Sequence, residues 1–261
     1  RTLHHLGMMH TSRGALAEGE RLYRESLAMK QRLLRPMHPS VMNTMQALAH
    51  NLNRQDRRDE ALPLLEEVLR QREALLGRDS SDVQSSLNDL GNALQDAGRI
   101  DEAIARYRQA VAVGERVYGP DHLGVSNALN NLGTALEDAE RPEAEAVLRR
   151  SLALRQARQP AGDLAIARAE HNLARWLLRE GQPEAARPLA DAAAAVRRKA
   201  LSRDHAEHVG SALQQVEVML ALGELPQAAA ALTPWLSAVP KWRRPQQLQW
   251  HRLQGRLALA Q

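Results

Sequence analysis

Apolar residues recur at spacings of three and four along this chain, the period of one buried face of an α-helix. Val83, Leu87, Leu90, Leu94 and Ala97 trace one such face, and after a break at Gly98 the residues Ile104, Tyr107, Val111 and Val113 to Val117 trace a second. This two-helix pattern returns at a fixed interval. Leu6-Gly7, Leu48-Ala49, Leu90-Gly91 and Leu132-Gly133 are 42 residues apart, and Leu173-Ala174 follows after 41. Val41, Val83, Val125, Ile166 and Val209 keep the same step, while Gly14, Asp56, Gly98, Glu140, Gly181 and Gly223 mark one turn position. A column of small residues, Gly19, Ala61, Ala103, Ala144, Ala185 and Ala228, completes the register. The single interval of 41 comes from a shortened turn, in which Arg99-Ile100-Asp101-Glu102-Ala103 becomes Arg141-Pro142-Glu143-Ala144.

Each unit therefore reads as a helical hairpin. Gly98 and its counterparts end the first helix; Asp59 and Asp101, each followed by Glu, suit the start of the second. Pro142, Pro183 and Pro226 suit its first turn, where a missing N–H costs little. Pro63 and Pro188 lie deeper and predict a local kink or a later helix start. The small residues of the two helices lie eleven or twelve apart across the turn and predict a close crossing, at which a larger side chain would overpack at a cost of about 1 to 3 kcal/mol.

The pattern of Leu90, Gly91, Leu94, Gly98, Ala103 and Tyr107 resembles the tetratricopeptide repeat. The 42-residue period, the linkers Met37-His38-Pro39-Ser40-Val41 and Gly119-Pro120-Asp121-His122-Leu123, and the run Leu129-Asn130-Asn131-Leu132-Gly133 resemble its longer kinesin-light-chain type. The Trp and late Pro of the 34-residue form are absent, and the sixth unit carries Gln215-Val216 where Leu-Gly/Ala is expected. The resemblance implies an all-α fold, a right-handed superhelical solenoid of about six antiparallel helix pairs. It spans 1–237, with units near 1–37, 38–79, 80–121, 122–162, 163–204 and 205–237; residues 238–261 form a basic linker and a C-terminal capping helix built on Leu248, Trp250, Leu253, Leu257 and Leu259. Similar arrays accompany bacterial signalling proteins such as Ser/Thr kinases. The opening at Arg1, already inside a first helix, is read as the start of a fragment, since solenoids ordinarily cover their ends.

Composition narrows the chemistry. The 261 residues contain no cysteine, which excludes disulfides, thiolate metal sites and cysteine nucleophiles. Four Trp, three Tyr and no Phe leave the core to Leu, Ala, Val and Met. No apolar run approaches the roughly 20 residues of a membrane span and no signal-peptide pattern opens the chain, so a soluble, cytoplasmic protein is expected. A pI near 9.9 raises the question of nucleic acid. Five basic residues, Lys241, Arg243, Arg244, Arg252 and Arg256, follow the last acid, Glu224, and the rest of the chain holds 30 basic and 31 acidic residues. The excess charge thus belongs to the tail, and nucleic-acid binding through it, with Arg149, Arg150, Arg155 and Arg158, is the lesser alternative.

Function is sought on the non-core positions of the first helices, which line the concave face of such a solenoid. His4, Met8, Gln46, His50, Asn88, Asn92, Asn130, Thr134, His171 and Arg175 flank the Leu-Gly/Ala pairs; Asn43, Asn53, Arg54, Asp89, Gln95, Asn127, Asn131, Asn172 and Arg179 extend a polar ladder. Amides both donate and accept, as the backbone of an extended peptide requires. The second helices expose Arg, Glu and Gln and almost no Asn. The predicted peptide groove comprises Asn43, Gln46, His50, Asn53, Asn88, Asn92, Gln95, Asn127, Asn130, Asn131, Thr134, His171, Asn172, Arg175 and Arg179. The absence of a groove Lys and the presence of Asp96, Glu137 and Asp138 argue against a carboxylate clamp; Arg168, Arg175 and Arg179 suit an acidic ligand side chain, which gives a polar ligand oppositely charged at its ends. His4, His5 and His10 lack the i, i+4 spacing of helical metal ligands, and His38, His122 and His205 recur at one linker position as capping or packing residues. No phosphate loop or paired acid and base is present. The reading is a non-catalytic, cofactor-free and metal-free scaffold for a protein or peptide partner, or for another domain of its own polypeptide; a regulatory region of a larger signalling protein is the alternative.

Overall fold

A computed structural model describes residues 2–35, 37–235, 239 and 244–260. Arg1, Pro240, Lys241 and Arg243 lie outside the described residues. Among those described, thirteen α-helices occur and no strand. The chain divides into two compact units, Arg1–Ala139 and Glu140–Gln261.

The first unit holds α1 (Thr2–Ser12), α2 (Leu16–Leu33), α3 (Pro39–Arg54), α4 (Arg58–Leu76), α5 (Ser81–Asp96), α6 (Ile100–Tyr118) and α7 (Leu123–Asp138). Odd and even helices pair as antiparallel hairpins, and each second helix packs on the first helix of the following hairpin. The second unit holds α8 (Ala144–Arg158), α9 (Leu164–Arg179), α10 (Pro183–Ala200), α11 (Ala206–Ala221), α12 (Leu225–Leu232) and α13 (Arg244–Ala260).

The turn column is a backbone requirement. Gly14, Gly98, Gly181 and Gly223 have φ of 83°, 75°, 71° and 77°, and Asp56 and Glu140 adopt the same left-handed conformation at 61° and 54°. Asp tolerates this region through local hydrogen bonding; Glu does so at greater cost. The linker histidines are N-caps: Nδ1 of His38, His122 and His205 accepts from the backbone N–H of Ser40, Gly124 and Glu207 at 3.1, 3.0 and 3.3 Å. Ser80 and Asp163 take the same place on α5 and α9.

Several local expectations are corrected. Asp59 and Asp101 lie in the first turns of α4 and α6, whose N-caps are Arg57 and Arg99 without side-chain capping bonds. There the carboxylates face the positive end of the helix dipole instead of capping it. Pro183 and Pro226 take first-turn places, but Pro142 precedes α8 because the shortened turn delays that helix to Ala144. The starts of α4 and α10 are not displaced by Pro63 and Pro188, which lie inside them. Ala185 is exposed, and Ala186, fully buried, is the small residue at the crossing with Ala174. The separation is then twelve in every unit except the one with the shortened turn.

The core follows the predicted faces: Leu48, Leu52, Val68, Leu87, Leu90, Tyr107, Leu132, Leu148, Leu173 and Leu177 are all buried. The sixth hairpin is short, its α12 passing into a 3₁₀ turn at Thr233–Trp235. Trp250 and Leu253 of α13 cover it, packing with Val209, Leu213, Val216, Leu232 and Val239. Leu248 and Leu259 stay exposed, so only part of the predicted capping face is buried.

Candidate functional site

The site is assembled from buried cations outward. Arg72 on α4 is 5% exposed and donates to Ser86 Oγ at 2.6 Å, to the Asp82 carbonyl at 3.3 Å, to Asn43 Oδ1 at 2.9 Å and to Gln46 Oε1 at 2.8 Å. All four acceptors are neutral. Lys30 on α2 makes the equivalent bonds to Thr44 Oγ1 at 2.6 Å and to the Ser40 carbonyl at 3.1 Å. Arg197 on α10 makes them to Ser211 Oγ at 2.6 Å and to the Glu207 carbonyl at 3.3 Å. In each case the acceptors lie ten and fourteen residues beyond the cation, so a second helix is tied to the first turns of the next first helix. The column Lys30, Arg72, Gly114, Arg155 and Arg197 keeps the repeat step and was open to discovery in the sequence, as were Thr44, Ser86 and Ser211. Its partners are distant in sequence, which is why the columns of apolar and small residues did not reveal it.

Where Gly114 interrupts the column, Gln84 enters the space that a side chain would occupy and donates to the Gly124 carbonyl at 2.9 Å. That carbonyl again lies ten residues beyond the column position.

The predicted ladder lies on α3, α5 and α7, and much of it is bonded internally. Gln46, besides holding Arg72, donates to Asp89, and His50 Nε2 lies 3.4 Å from the same carboxylate. Asn53 donates to Asp96 at 2.5 Å and Gln95 to Asp138 at 2.6 Å. Asn131 donates to Asn92 Oδ1 at 3.3 Å, and the Tyr107 hydroxyl donates to Asn92 and Gln95 at 2.7 and 3.0 Å. Thr134 bonds the Asn131 carbonyl, while Asn88 donates to the Gln84 carbonyl of its own helix and keeps a shielded Oδ1 without a donor. Asn127 is exposed, Asn130 is buried, and both have partners.

Two cavities open on this face. One, of about 420 Å³, is lined by His50, Asn53, Arg54, Leu65, Asp89, Asn92, Ala93, Gln95 and Asp96. The other, of about 380 Å³, is lined by His4, Met8, Thr11, Ser12, Tyr23, Asn43, Gln46, Ala47, His50 and Arg54. They share His50 and Arg54. Burial holds the Tyr107 phenol well above the ordinary tyrosine range, and the fields of Asp96, Asp138 and Asp89 push it further. His4, hydrogen-bonded to Thr44, is lowered by burial and then by Lys30.

In the second unit two of the four predicted positions, Arg175 and Arg179, are cationic, and His171 and Asn172 are neutral. Burial pushes the His171 imidazole down to about 3, with Arg197 and Arg175 adding to the shift. Its Nδ1 is shielded and without a partner, although part of the residue remains accessible. Asn172 is buried and, like Arg175, has a partner. Arg179 pairs with Glu140 at 3.1 Å and Arg168 with Glu207 at 3.0 Å, so two of the three arginines assigned to an acidic ligand already meet acids of this chain. Among the described residues no group of three side chains could hold a metal ion, and no helix is long and apolar enough to cross a membrane.

Hairpins of this period, with small crossing residues and a left-handed turn column, define a tetratricopeptide array. The chain belongs to the tetratricopeptide repeat family, whose profiles match residues 1–74, 82–157 and 166–207. No curated protein matches. Among solved structures it is similar to a kinesin-light-chain protein of Podosopora anserina with nearly identical repeats, at 24% identity and TM-score 0.65, covering 77% of this chain and 95% of that one. It is also similar to BtubC (BKLC) from P. vanneervenii, at 24% identity and TM-score 0.65, covering 75% and 78%. A Rap protein complexed with competence and sporulation factor aligns at 12% identity and TM-score 0.67, covering 99% and 76%. At these identities the likeness is one of fold. The family is one of protein-interaction scaffolds, and this chain is of that general class.

Proposed function

We propose that this chain is a non-catalytic scaffold that binds an extended segment of a partner protein along the polar face of α1, α3, α5 and α7. The observation that carries the reading is the pair of adjoining cavities on that face, one walled by amides and carboxylates and the other by amides, hydroxyls and imidazoles. Backbone N–H and C=O groups of an extended segment need such mixed partners, and repeat-specific side chains then set selectivity. The Rap structure, complexed with its factor, lends support by fold alone. Phosphate binding has less support: Arg155 is buried, and Arg149 and Arg252 pair with Glu145 and Glu217.

The test is a nuclease-treated affinity pull-down from host lysate, comparing the chain with its Asn53→Ala/Asn92→Ala/Asn127→Ala variant, two cavity-lining residues and an exposed one of α7, by mass spectrometry. Proteins retained by the parent and lost by a still-helical variant are expected. Identical protein sets from both would remove the groove assignment.

A further inference from the structure

The 420 Å³ cavity between α3 and α5 is a recess of the size that binds small groups, about 300 to 1,000 Å³. Asp89 and Asp96 stand on its wall, seven residues apart on α5, about two helical turns. Asp138 lies beside it, bonded to the lining residue Gln95. These three carboxylates accept from Gln46, Asn53 and Gln95, neutral amides that leave the charge in place. Among the described residues none of the three pairs with an arginine or lysine, and the one ionisable contact is His50 with Asp89. Arg54, the cation on the cavity wall, is turned to the Thr11 carbonyl at 2.6 Å.

A second feature of the wall is an acceptor without a donor. Asn53 spends its amide N–H on Asp96, and its Oδ1 is shielded and unbonded. Leaving such an acceptor unpaired is unfavourable, and it marks this wall as under-satisfied. Tyr107, in contact with the lining residues Asn92 and Gln95, has its ionisation suppressed first by burial and then by the same Asp96, Asp138 and Asp89.

We infer that this cavity takes the guanidinium of an arginine carried by an extended basic segment of a partner protein. The inference rests on the proposed groove and names its charge. A guanidinium brings five N–H donors in a plane and a permanent positive charge, so it matches the carboxylates of Asp89 and Asp96 together. An ammonium matches the charge without the planar fork. The neighbouring cavity, which shares His50 and Arg54 with it, receives the flanking backbone.

The probe is a fluorescein-labelled nonapeptide of alternating Arg and Ser, paired with its citrulline counterpart, which keeps the shape and removes the charge. Fluorescence anisotropy with the whole chain at physiological salt is expected to show the arginine peptide binding about tenfold tighter or more. Asp89→Asn/Asp96→Asn should bring the arginine peptide down to the citrulline value, while the surface control Asp59→Asn/Glu66→Gln/Asp121→Asn should retain the difference. Equal binding of the two peptides, no binding of the arginine peptide, or an equal loss in the surface control overturns the inference. Thermal melts of each variant separate loss of binding from loss of fold, and the citrulline comparison needs no variant. In the pull-down, a partner lost by the triple-Asn variant and kept by Asp89→Asn/Asp96→Asn overturns the basic segment and leaves the groove standing; a partner kept by both overturns the groove itself.

Discussion

A buried arginine with only neutral partners is costly to desolvate, and it persists where every donor finds an oxygen. Arg72 comes close to that condition, with four of its five N–H donors placed on two side-chain amides, a hydroxyl and a carbonyl. Asn43 and Gln46, which a sequence reading assigns to a ligand, therefore hold the scaffold as well as border the cavity. Gln84 does in neutral form, from the opposite helix, what Lys30 and Arg72 do as cations. His171 behaves differently, since its burial beside Arg197 and Arg175 keeps the imidazole unprotonated. With a folded pKa near 3 against an ordinary 6.5, the unfolded chain binds the extra proton between those values, so stability falls as pH is lowered through that window. The slope from this one group is at most about 1.4 kcal/mol per pH unit. Replacing His171 with Gln, the residue at the equivalent position 46, is expected to flatten the fall seen by urea unfolding between about pH 6.5 and pH 5. Parallel slopes in the two proteins would contradict it.

At the scale of the helix, pairing depends on how closely two axes approach. In the third hairpin a Cβ on Gly91 would stand 2.5 Å from the Tyr107 ring, and in the first a Cβ on Gly7 would stand 2.9 Å from Tyr23. In the second hairpin the same places hold Ala49 and Leu65, so in these three hairpins Gly is matched to Tyr and Ala to Leu. Gly91→Ala is expected to cost about 1 to 3 kcal/mol by overpacking. Adding Tyr107→Leu should recover part of that loss relative to the sum of the single changes, a coupling that a double-mutant cycle measures by denaturant unfolding. Additive single effects would show that the ring does not set the crossing distance. The ends of the first helices were legible for a related reason, since a left-handed turn is a local demand, whereas the starts of α4, α6 and α8 were not, because their caps carry no side-chain bond.

At the scale of the whole chain, a repeat array gains stability from each hairpin and from its contact with the next, so damage stays near its origin. Leu253 is fully buried in the cluster that joins α13 to α11 and α12. Leu253→Ala is expected to cost about 2 to 5 kcal/mol locally. Amide hydrogen exchange should accelerate in α11 and α12 and remain unchanged in α3 to α6; uniform acceleration would replace the nearest-neighbour picture with a single cooperative core.

The repeat period, the all-helical class, the turn column and the histidine caps were written in the sequence because each is a short-range rule repeated many times. The slip from Ala186 to Ala185 shows where such reading fails: two adjacent alanines are indistinguishable until burial separates them. The polar ladder was legible as composition, but its hydrogen bonds were not, because they join residues 39 to 43 positions apart and an amide in sequence carries no mark of its partner. The tertiary structure alone decided which amides are committed to neighbours, which carboxylates stand beside a cavity bonded only to amides or a histidine, and which arginines are buried. Those properties depend on distance and solvent exposure between separate helices, and helical periodicity specifies only the face from which a side chain leaves.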